Sequence, residues 1–393
     1  MSITTSDLRR AVAETYPVIR ELRHDLHRHP GVLFDVEYAA KRVAEHMKKL
    51  GIPCRTGVGQ TGVVALVKGK RPGPCMALRA DMDALPIAEE NKVPYRSANA
   101  GVMHACGHDG HTANLVGVAH VLARFRSEMA GSVKLIFQPA EESGDPGGAA
   151  FMIRDGALAD PKPCCIFALH AHPAYPVGTV AFSPGRMLAA ADFFDIVIKG
   201  RGSHAAYPHR GIDPIVISAA VIEGLQTIAS RSIDPLEPAV VTIARVAAGT
   251  ARNIIPDEAL LQGTCRSYSR KVQRKVAALV RKIPRDVARA FGGAAEVKFM
   301  TCYPPVINDE RATEILREAV VETLGAKAVR RAEPSMGGED FAFFLERVPG
   351  AIFWLGNGRP DRQLHQPTFD FNDEALKTGM LVLSALAARR LSL

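Results

Sequence analysis

Leu78-Arg79-Ala80-Asp81-Met82-Asp83-Ala84-Leu85-Pro86 is the stretch on which the fold turns. The apolar run Cys75-Met76-Ala77-Leu78-Arg79 leads into it and reads as a buried strand. That strand ends in two carboxylates, Asp81 and Asp83, at i and i+2, which places them on one face. Ser132-Val133-Lys134-Leu135-Ile136-Phe137 repeats the pattern and leaves through Gln138-Pro139-Ala140-Glu141-Glu142-Ser143. A further apolar run ends in Leu169-His170-Ala171-His172-Pro173, and Leu364-His365-Gln366-Pro367 lies close to the C-terminus. A helix predicted from about Thr112 to Arg126 separates two of these strands. Strand, helix, strand, with chemistry at the strand ends, predicts an α/β sheet. Such sheets gather ligands outside the carboxyl ends of their strands.

Between those segments lies Met103-His104-Ala105-Cys106-Gly107-His108-Asp109-Gly110-His111, one thiol, three imidazoles and a carboxylate in nine residues. A thiolate and an imidazole two positions apart, on a turn that Gly107 permits, can reach the same or adjacent metal ions. Cys and neutral His suit Zn, Mn, Co or Ni far better than Mg or Ca. The bland alternative is a helix start with capping histidines, because an apolar pattern begins at Leu115. The carboxylates and histidines recurring at the other strand ends weigh against it. In the pair Glu141/Glu142, one carboxylate can ligate a metal while the other moves a proton.

Composition sets the class. The chain has 393 residues, 47% hydrophobic and 23% charged, with mean hydropathy near zero. That length predicts two domains. Met1-Ser2-Ile3-Thr4-Thr5-Ser6-Asp7 lacks a basic stretch followed by an apolar one, and no apolar run is long enough to span a bilayer. Seven scattered cysteines without a C-x-x-C pair fit a reducing compartment, so a cytoplasmic protein without a membrane partner is expected. The net charge of +8 invites a nucleic-acid reading. Its densest basic run, Arg270-Lys271-Val272-Gln273-Arg274-Lys275, continues with Val276, Leu279, Ile283 and Val287 at helical spacing. It therefore reads as an amphipathic helix with a solvated basic face, and no nucleic-acid partner is expected. Gly57-Val58-Gly59-Gln60-Thr61-Gly62 matches G-x-G-x-x-G but precedes a strand instead of opening a helix, so it is a turn.

Further helices are predicted over about 8–29 and 36–50, the second closed by Gly51 and Pro53. The texture changes near Ala189 to strand, helix, strand, strand, helix, and α/β texture returns after Tyr303-Pro304-Pro305. The expected organisation is a discontinuous first domain, 1–188 and 303–393, interrupted by an α+β insert, 189–302.

At this point the chain resembles the amidohydrolase branch of the M20 metallopeptidase family, which contains hippurate hydrolases, plant auxin-conjugate hydrolases and bacterial N-acyl-amino-acid amidohydrolases. The resemblance runs from Leu26-His27-Arg28-His29-Pro30 through the segments above. It continues through Gly200-Arg201-Gly202-Ser203-His204-Ala205, Asn253-Ile254-Ile255-Pro256, Gly263-Thr264-Cys265-Arg266 and Gly337-Gly338-Glu339-Asp340-Phe341 to His365. It implies a phosphorylase/hydrolase-like α/β catalytic domain with a mixed central sheet, interrupted by a smaller ferredoxin-like α+β dimerisation or lid domain. It also implies two divalent metal ions per subunit. Cys106 would bridge them, His108 and His170 would hold one, and Glu142 and His365 the other. Glu141 would be the general base, and Asp83 would orient a ligand imidazole. His204 would reach into a neighbouring subunit to stabilise the oxyanion, which implies a homodimer or homotetramer through the insert. Asn253 and Arg266 would hold the carboxylate of a small-molecule N-acyl amino acid, hippurate-like or N-acetylated. Carboxypeptidase, dipeptidase and N-acetyl-diaminopimelate deacetylase activities are the alternatives.

The chain departs from the family pattern in two places. Pro30-Gly31-Val32 stands where Pro-Glu-Leu is usual, a change expected to matter little because it precedes the first strand. The loop Ser143-Gly144-Asp145-Pro146 reads as slightly long. His104, His111 and His172 are expected to play supporting parts, and Asp81 and Glu339 to be hydrogen-bond partners.

Overall fold

A computed structural model describes residues 3–144 and 146–391. Met1 and Ser2 of the N-terminal reading, and Asp145 of the loop reading, lie outside the described residues. Along the chain come α1 (Thr5–Arg28), α2 (Glu37–Lys49), β1 (Cys54–Val58), β2 (Gly62–Lys68) and β3 (Arg71–Asp81). Then follow α3 (His108–Arg124), β4 (Ala130–Gln138), α4 (Gly148–Arg154), β5 (Cys165–His172), β6 (Val180–Phe182) and β7 (Gly185–Leu188). Next are β8 (Ala190–Lys199), β9 (Ser203–His204), α5 (Pro214–Thr227), β10 (Ala239–Ala248), β11 (Ile254–Ile255), β12 (Glu258–Ser267), α6 (Arg270–Ala290) and β13 (Ala294–Tyr303). The chain closes with β14 (Val306–Asn308), α7 (Glu310–Leu324), β15 (Val329–Arg331), α8 (Ala342–Leu345), β16 (Gly350–Gly356) and α9 (Glu374–Leu391).

The chain divides into two compact units. The first comprises Met1–Met187, Ile307–Pro334 and Asp340–Leu393, the second Leu188–Val306 and Ser335–Glu339. The first is built on an eight-stranded sheet ordered β1-β2-β4-β3-β5-β16-β6-β15. β3 runs parallel to both β4 and β5, and β16 parallel to β5, whereas β2/β4 and β16/β6 are antiparallel. The sheet is mixed, and the α/β expectation is borne out. Its central strands are apolar on both faces, as in Met76, Ala77 and Leu78 of β3 and Phe167 to Leu169 of β5, because helices α1, α3 and α9 pack together over the sheet core.

The second unit is a four-stranded antiparallel sheet, β10-β12-β8-β13, carrying α5 and α6. Strand β8, helix, β10, β12, helix, β13 is the β-α-β-β-α-β arrangement of ferredoxin-like folds. β13 was absent from the sequence reading, although Val297 and Phe299 alternating with Glu296 and Lys298 signal it. α6 follows the predicted amphipathic pattern, with Val272, Val276 and Val280 buried in the core of this unit. Gly57–Gly62 covers the end of β1, the turn at 59–61 and the start of β2, which pairs antiparallel with β1.

The second unit also contains a buried acid. Asp192 on β8 accepts hydrogen bonds from Gln273 Nε2 at 2.9 Å and Cys302 N at 3.2 Å. Burial nevertheless pushes its carboxyl up to about 6. Because the folded chain holds this proton more tightly than the unfolded one, stability falls as pH rises from about 4 to about 6 and stays reduced above that range. Asp192→Asn is therefore expected to raise stability at pH 7.5 by up to ~2 kcal/mol and to flatten that pH dependence. Urea titrations of both proteins at pH 4.5 and 7.5 measure it; equal midpoint shifts at the two pH values would contradict it.

Candidate metal centre

The predicted residues of the first unit converge at the carboxyl ends of β3, β4 and β5. β3 delivers Asp81, and Asp83 follows two residues on. β4 ends at Gln138 and enters a short 3-10 turn, Glu141–Ser143, through Ala140 at φ +53°, a left-handed conformation uncommon for a side-chain-bearing residue. Asp83 holds this turn in place: its Oδ1 accepts from Glu141 N and its Oδ2 from Glu142 N, both at 3.0 Å. One carboxylate thereby fixes the backbone of both glutamates.

The Cys-Gly-His turn does begin a helix. α3 starts at His108, four residues before the predicted start, because Gly107 at φ +90° reverses the chain directly into it. A Cβ at Gly107 would lie 3.3 Å from the Ala171 Cβ and 3.4 Å from the rings of Phe369 and Phe371. The segment thus opens a helix, as the alternative reading expected, and it sets Cys106 and His108 at that helix's start.

Two clusters form around one sulfur. Ligand atoms of Cys106, His108 and His170 lie within 4.8 Å of one another, and so do those of Cys106, Glu142 and His365. The five residues implied as ligands are these five, with Cys106 common to both sets. His108, Glu141 and Glu142 form a third overlapping group, which keeps the Glu141 carboxylate beside the ligands. His170 Nδ1 lies 2.8 Å from the Ala171 carbonyl, which must accept its proton, leaving Nε2 bare and 3.4 Å from Cys106 Sγ. His365 Nε2 is 3.2 Å from Glu142 Oε1. Its backbone, at φ +62°, is anchored by donation from its N–H to the Ala105 carbonyl at 2.8 Å. Such strain in a residue with a side chain is concentrated at functional sites.

The electrostatics favour positive charge among these donors. His108 is fully buried, and among the described residues neither ring nitrogen has a close hydrogen-bond partner: Asp83 Oδ1 stands 3.4 Å from Nδ1 and Asp81 Oδ2 3.8 Å from Nε2. Burial and the carboxylates of Glu142, Glu141 and Asp81 drive the Cys106 thiol well above its ordinary range. A thiolate in that company needs compensating positive charge, which divalent ions bound by these donors would supply. Burial holds His170 well below the usual imidazole range, in the neutral form that ligation requires.

Around the candidate ligands is a scaffold in which His111 and Asp81 take the supporting and hydrogen-bonding parts expected of them, and Arg79 takes one that was not expected. His111 lies 2.6 Å from Asp81 through Nδ1 and accepts from Ala171 N at 2.8 Å through Nε2. Both nitrogens are used, so it ties α3 to β3 and β5. Arg79, buried inside β3, donates to Gln138 Oε1, Asp81 Oδ2 and Asp340 Oδ1 at 2.7–2.9 Å. A charge within an apolar strand was the available signal. His104 is buried, and burial lowers it to about 3, so it stays neutral. His172 packs at 5.3 Å, centroid to centroid, from Trp354, which also stands 5.5 Å from His170. Glu339 belongs to the second unit and is buried. Gly31, in the departure from Pro-Glu-Leu, accepts from Ala84 N at 2.8 Å, and a Cβ there would meet the Asp35 carbonyl at 1.7 Å. The segment precedes the first strand in sequence but lies against the residue following Asp83.

In the second unit, β9 pairs with β11 so that His204 faces Ile254, and Ala205 N donates to the Asn253 carbonyl at 3.0 Å. His204 and Asn253 are therefore neighbours, both exposed. Arg266 lies on β12, where its guanidinium bonds Thr264 Oγ1 and the Cys265 carbonyl. Among the described residues it bonds neither His204 nor Asn253.

The family model for peptidase family M20/M25/M40 matches residues 77–389. The chain belongs to this family. N-acetylcysteine deacetylase of Bacillus subtilis is 40% identical over 371 residues, covering 93% of this chain and 95% of that protein. Thermostable carboxypeptidase 2 of Saccharolobus solfataricus is 38% identical, covering 97% and 98%. The crystal structure of the Bacillus subtilis YXEP protein, described as a dinuclear metal-binding peptidase from the M20 family, superposes with a TM-score of 0.85 at 36% identity, covering 97% and 99%. Like its M20 relatives, the chain is a metal-dependent hydrolase of amide bonds. No described helix is long and apolar enough to cross a membrane.

Proposed function

We propose that this M20 hydrolase uses two divalent ions, Zn, Mn, Co or Ni, to cleave N-acyl-L-amino acids to carboxylic acid and amino acid. The observation that carries the reading is Cys106, whose sulfur is shared between two three-residue ligand clusters while Glu141 stays beside them without being needed in either. When bound, two such ions polarise the amide carbonyl and acidify the attacking water. The residues of the chain perform the other steps. Glu141 takes the water proton and returns it to the departing nitrogen. Asp83 keeps Glu141 and Glu142 in register through their backbone N–H groups. Arg266 and Asn253 hold the substrate carboxylate, a task suited to a planar guanidinium with parallel donors.

His204 steadies the oxyanion from a neighbouring copy. Dimerisation through the second unit is supported by β10, a ten-residue edge strand that among the described residues pairs on one side only, with Val240 and Val246 exposed. Such edges are templates for pairing with another chain. Mixing inactive Glu141→Gln and His204→Ala subunits is expected to regenerate activity, because each mixed dimer contains one site with both residues intact. Mixed dimers that form and stay inactive would contradict the shared site.

The reading itself is tested by amine release from N-acetyl-, N-benzoyl- and N-indoleacetyl-amino acids, with chelator-stripped protein before and after adding Mn or Zn. Metal-restored hydrolysis is expected. Restored cleavage of C-terminal residues from peptides, with none of the acyl-amino acids turned over, would transfer the assignment to a carboxypeptidase.

A further inference from the structure

The N-terminal segment that contains Leu26-His27-Arg28-His29-Pro30 takes no part in the chemistry above. Nevertheless α1 buries two ionic side chains completely. Arg23 and His27 are four residues apart, hence on one face, and neither is exposed to solvent. Arg23 Nε donates to Asp109 Oδ2 at 2.9 Å, and the same guanidinium donates through a second nitrogen to Asp370 Oδ1 at 2.8 Å. His27 stands between two carboxylates, with Nδ1 2.8 Å from Asp109 Oδ2 and Nε2 3.1 Å from Glu89 Oε1. Both ring nitrogens face acceptors, as an imidazolium requires.

The positions of the two aspartates give this cluster a meaning. Asp109 is the residue after His108, in the first turn of α3. Asp370 lies five residues after His365, and the segment between them is folded on itself by donation from Phe369 N to the Gln366 carbonyl at 3.0 Å. His108 and His365 belong to different ligand clusters, which share Cys106 and also approach each other through His108 and Glu142. A single buried guanidinium therefore fixes the backbone segments that carry one imidazole of each cluster. Asn91 strengthens the second attachment, donating through Nδ2 to the Phe369 carbonyl at 2.7 Å.

Stability alone does not account for the arrangement, because buried ion pairs are often replaced by apolar side chains without loss. A planar fork does what an apolar side chain cannot: it sets the separation and orientation of two carboxylates together. We propose that Arg23 is a positioning residue for the metal pair, setting the spacing between the His108 and His365 halves of the centre through Asp109 and Asp370. The proposal rests on the metal reading given above.

Titration of Mn²⁺ alone into chelator-stripped full-length protein, followed by calorimetry, tests it. Wild type is expected to show two binding steps. Arg23→Met is expected to weaken both steps by ~10–100-fold, the range seen when a partner that orients a ligand is lost. Asp370→Asn is expected to weaken one step and spare the other. Arg23→Lys, whose ammonium cannot serve both carboxylates in the same geometry, should fall between wild type and Arg23→Met. Leu316→Ala, a truncation in the buried face of α7, is the control for general destabilisation and should bind as wild type does. If Arg23→Met does not fold, Arg23→Lys and Asp370→Asn decide the matter. Wild-type affinities in the folded variants, or an equal loss in Leu316→Ala, would overturn the positioning role and leave the metal centre intact. Wild type that takes up no Mn²⁺ would overturn the metal reading and the proposal with it.

Discussion

Glu141→Gln is expected to retain both metal ions and to lose at least about a hundredfold in turnover, the lower end for removing a general base. The substitution changes little besides the proton chemistry. Glu141 N donates to Asp83 whatever the side chain carries, so the 3-10 turn and Glu142 should keep their places. Neither proposed ligand cluster, Cys106/His108/His170 or Cys106/Glu142/His365, includes Glu141. An amide of the same shape cannot accept a proton from water and return it to an amine. Metal content by elemental analysis, beside initial rates at saturating metal, separates the two effects. Near-normal turnover would remove Glu141 from its role; loss of an ion would make it a ligand instead.

The second large effect is at Cys106. Cys106→Ala is expected to weaken both ions together, each by more than the ~10–100-fold that follows loss of an orienting partner, since here a shared ligand is removed. Cys106→Asp, which restores an anionic donor able to bridge, should recover binding of both. His170→Ala, by comparison, should weaken one ion far more than the other, because His170 belongs to one cluster. Loss of a single ion in Cys106→Ala would mean that the sulfur does not bridge.

The parts of this centre that were legible in the sequence share one property: their chemistry is local. Asp81/Asp83, Cys106/His108, Glu141/Glu142 and His170 each stand at the end of an apolar run or on a tight turn, and the α/β grammar brings those ends together. Which donors group around which ion came from the family resemblance, because spacing along a chain does not encode it. The start of α3 was hidden because Asp109, His111, Thr112 and Asn114 are polar yet buried, which erases the amphipathic pattern used to find helices. Long-range ionic contacts were also out of reach. Arg79 meets Asp340 across 261 positions and Arg23 meets Asp370 across 347. Nor does sequence signal that Ala140 and His365 adopt left-handed backbone, a conformation imposed by their surroundings.

On the proposed mechanism, two ions held around Cys106 carry out the hydrolysis. The measurement that tests it most directly is stepwise return of Mn²⁺ to chelator-stripped protein, with bound metal and hydrolysis of an N-acetyl-amino acid followed in the same samples. Negligible hydrolysis is expected in stripped protein, with full activity only as the second ion binds each chain. Full activity in stripped protein, or a plateau reached at one ion per chain, would contradict it.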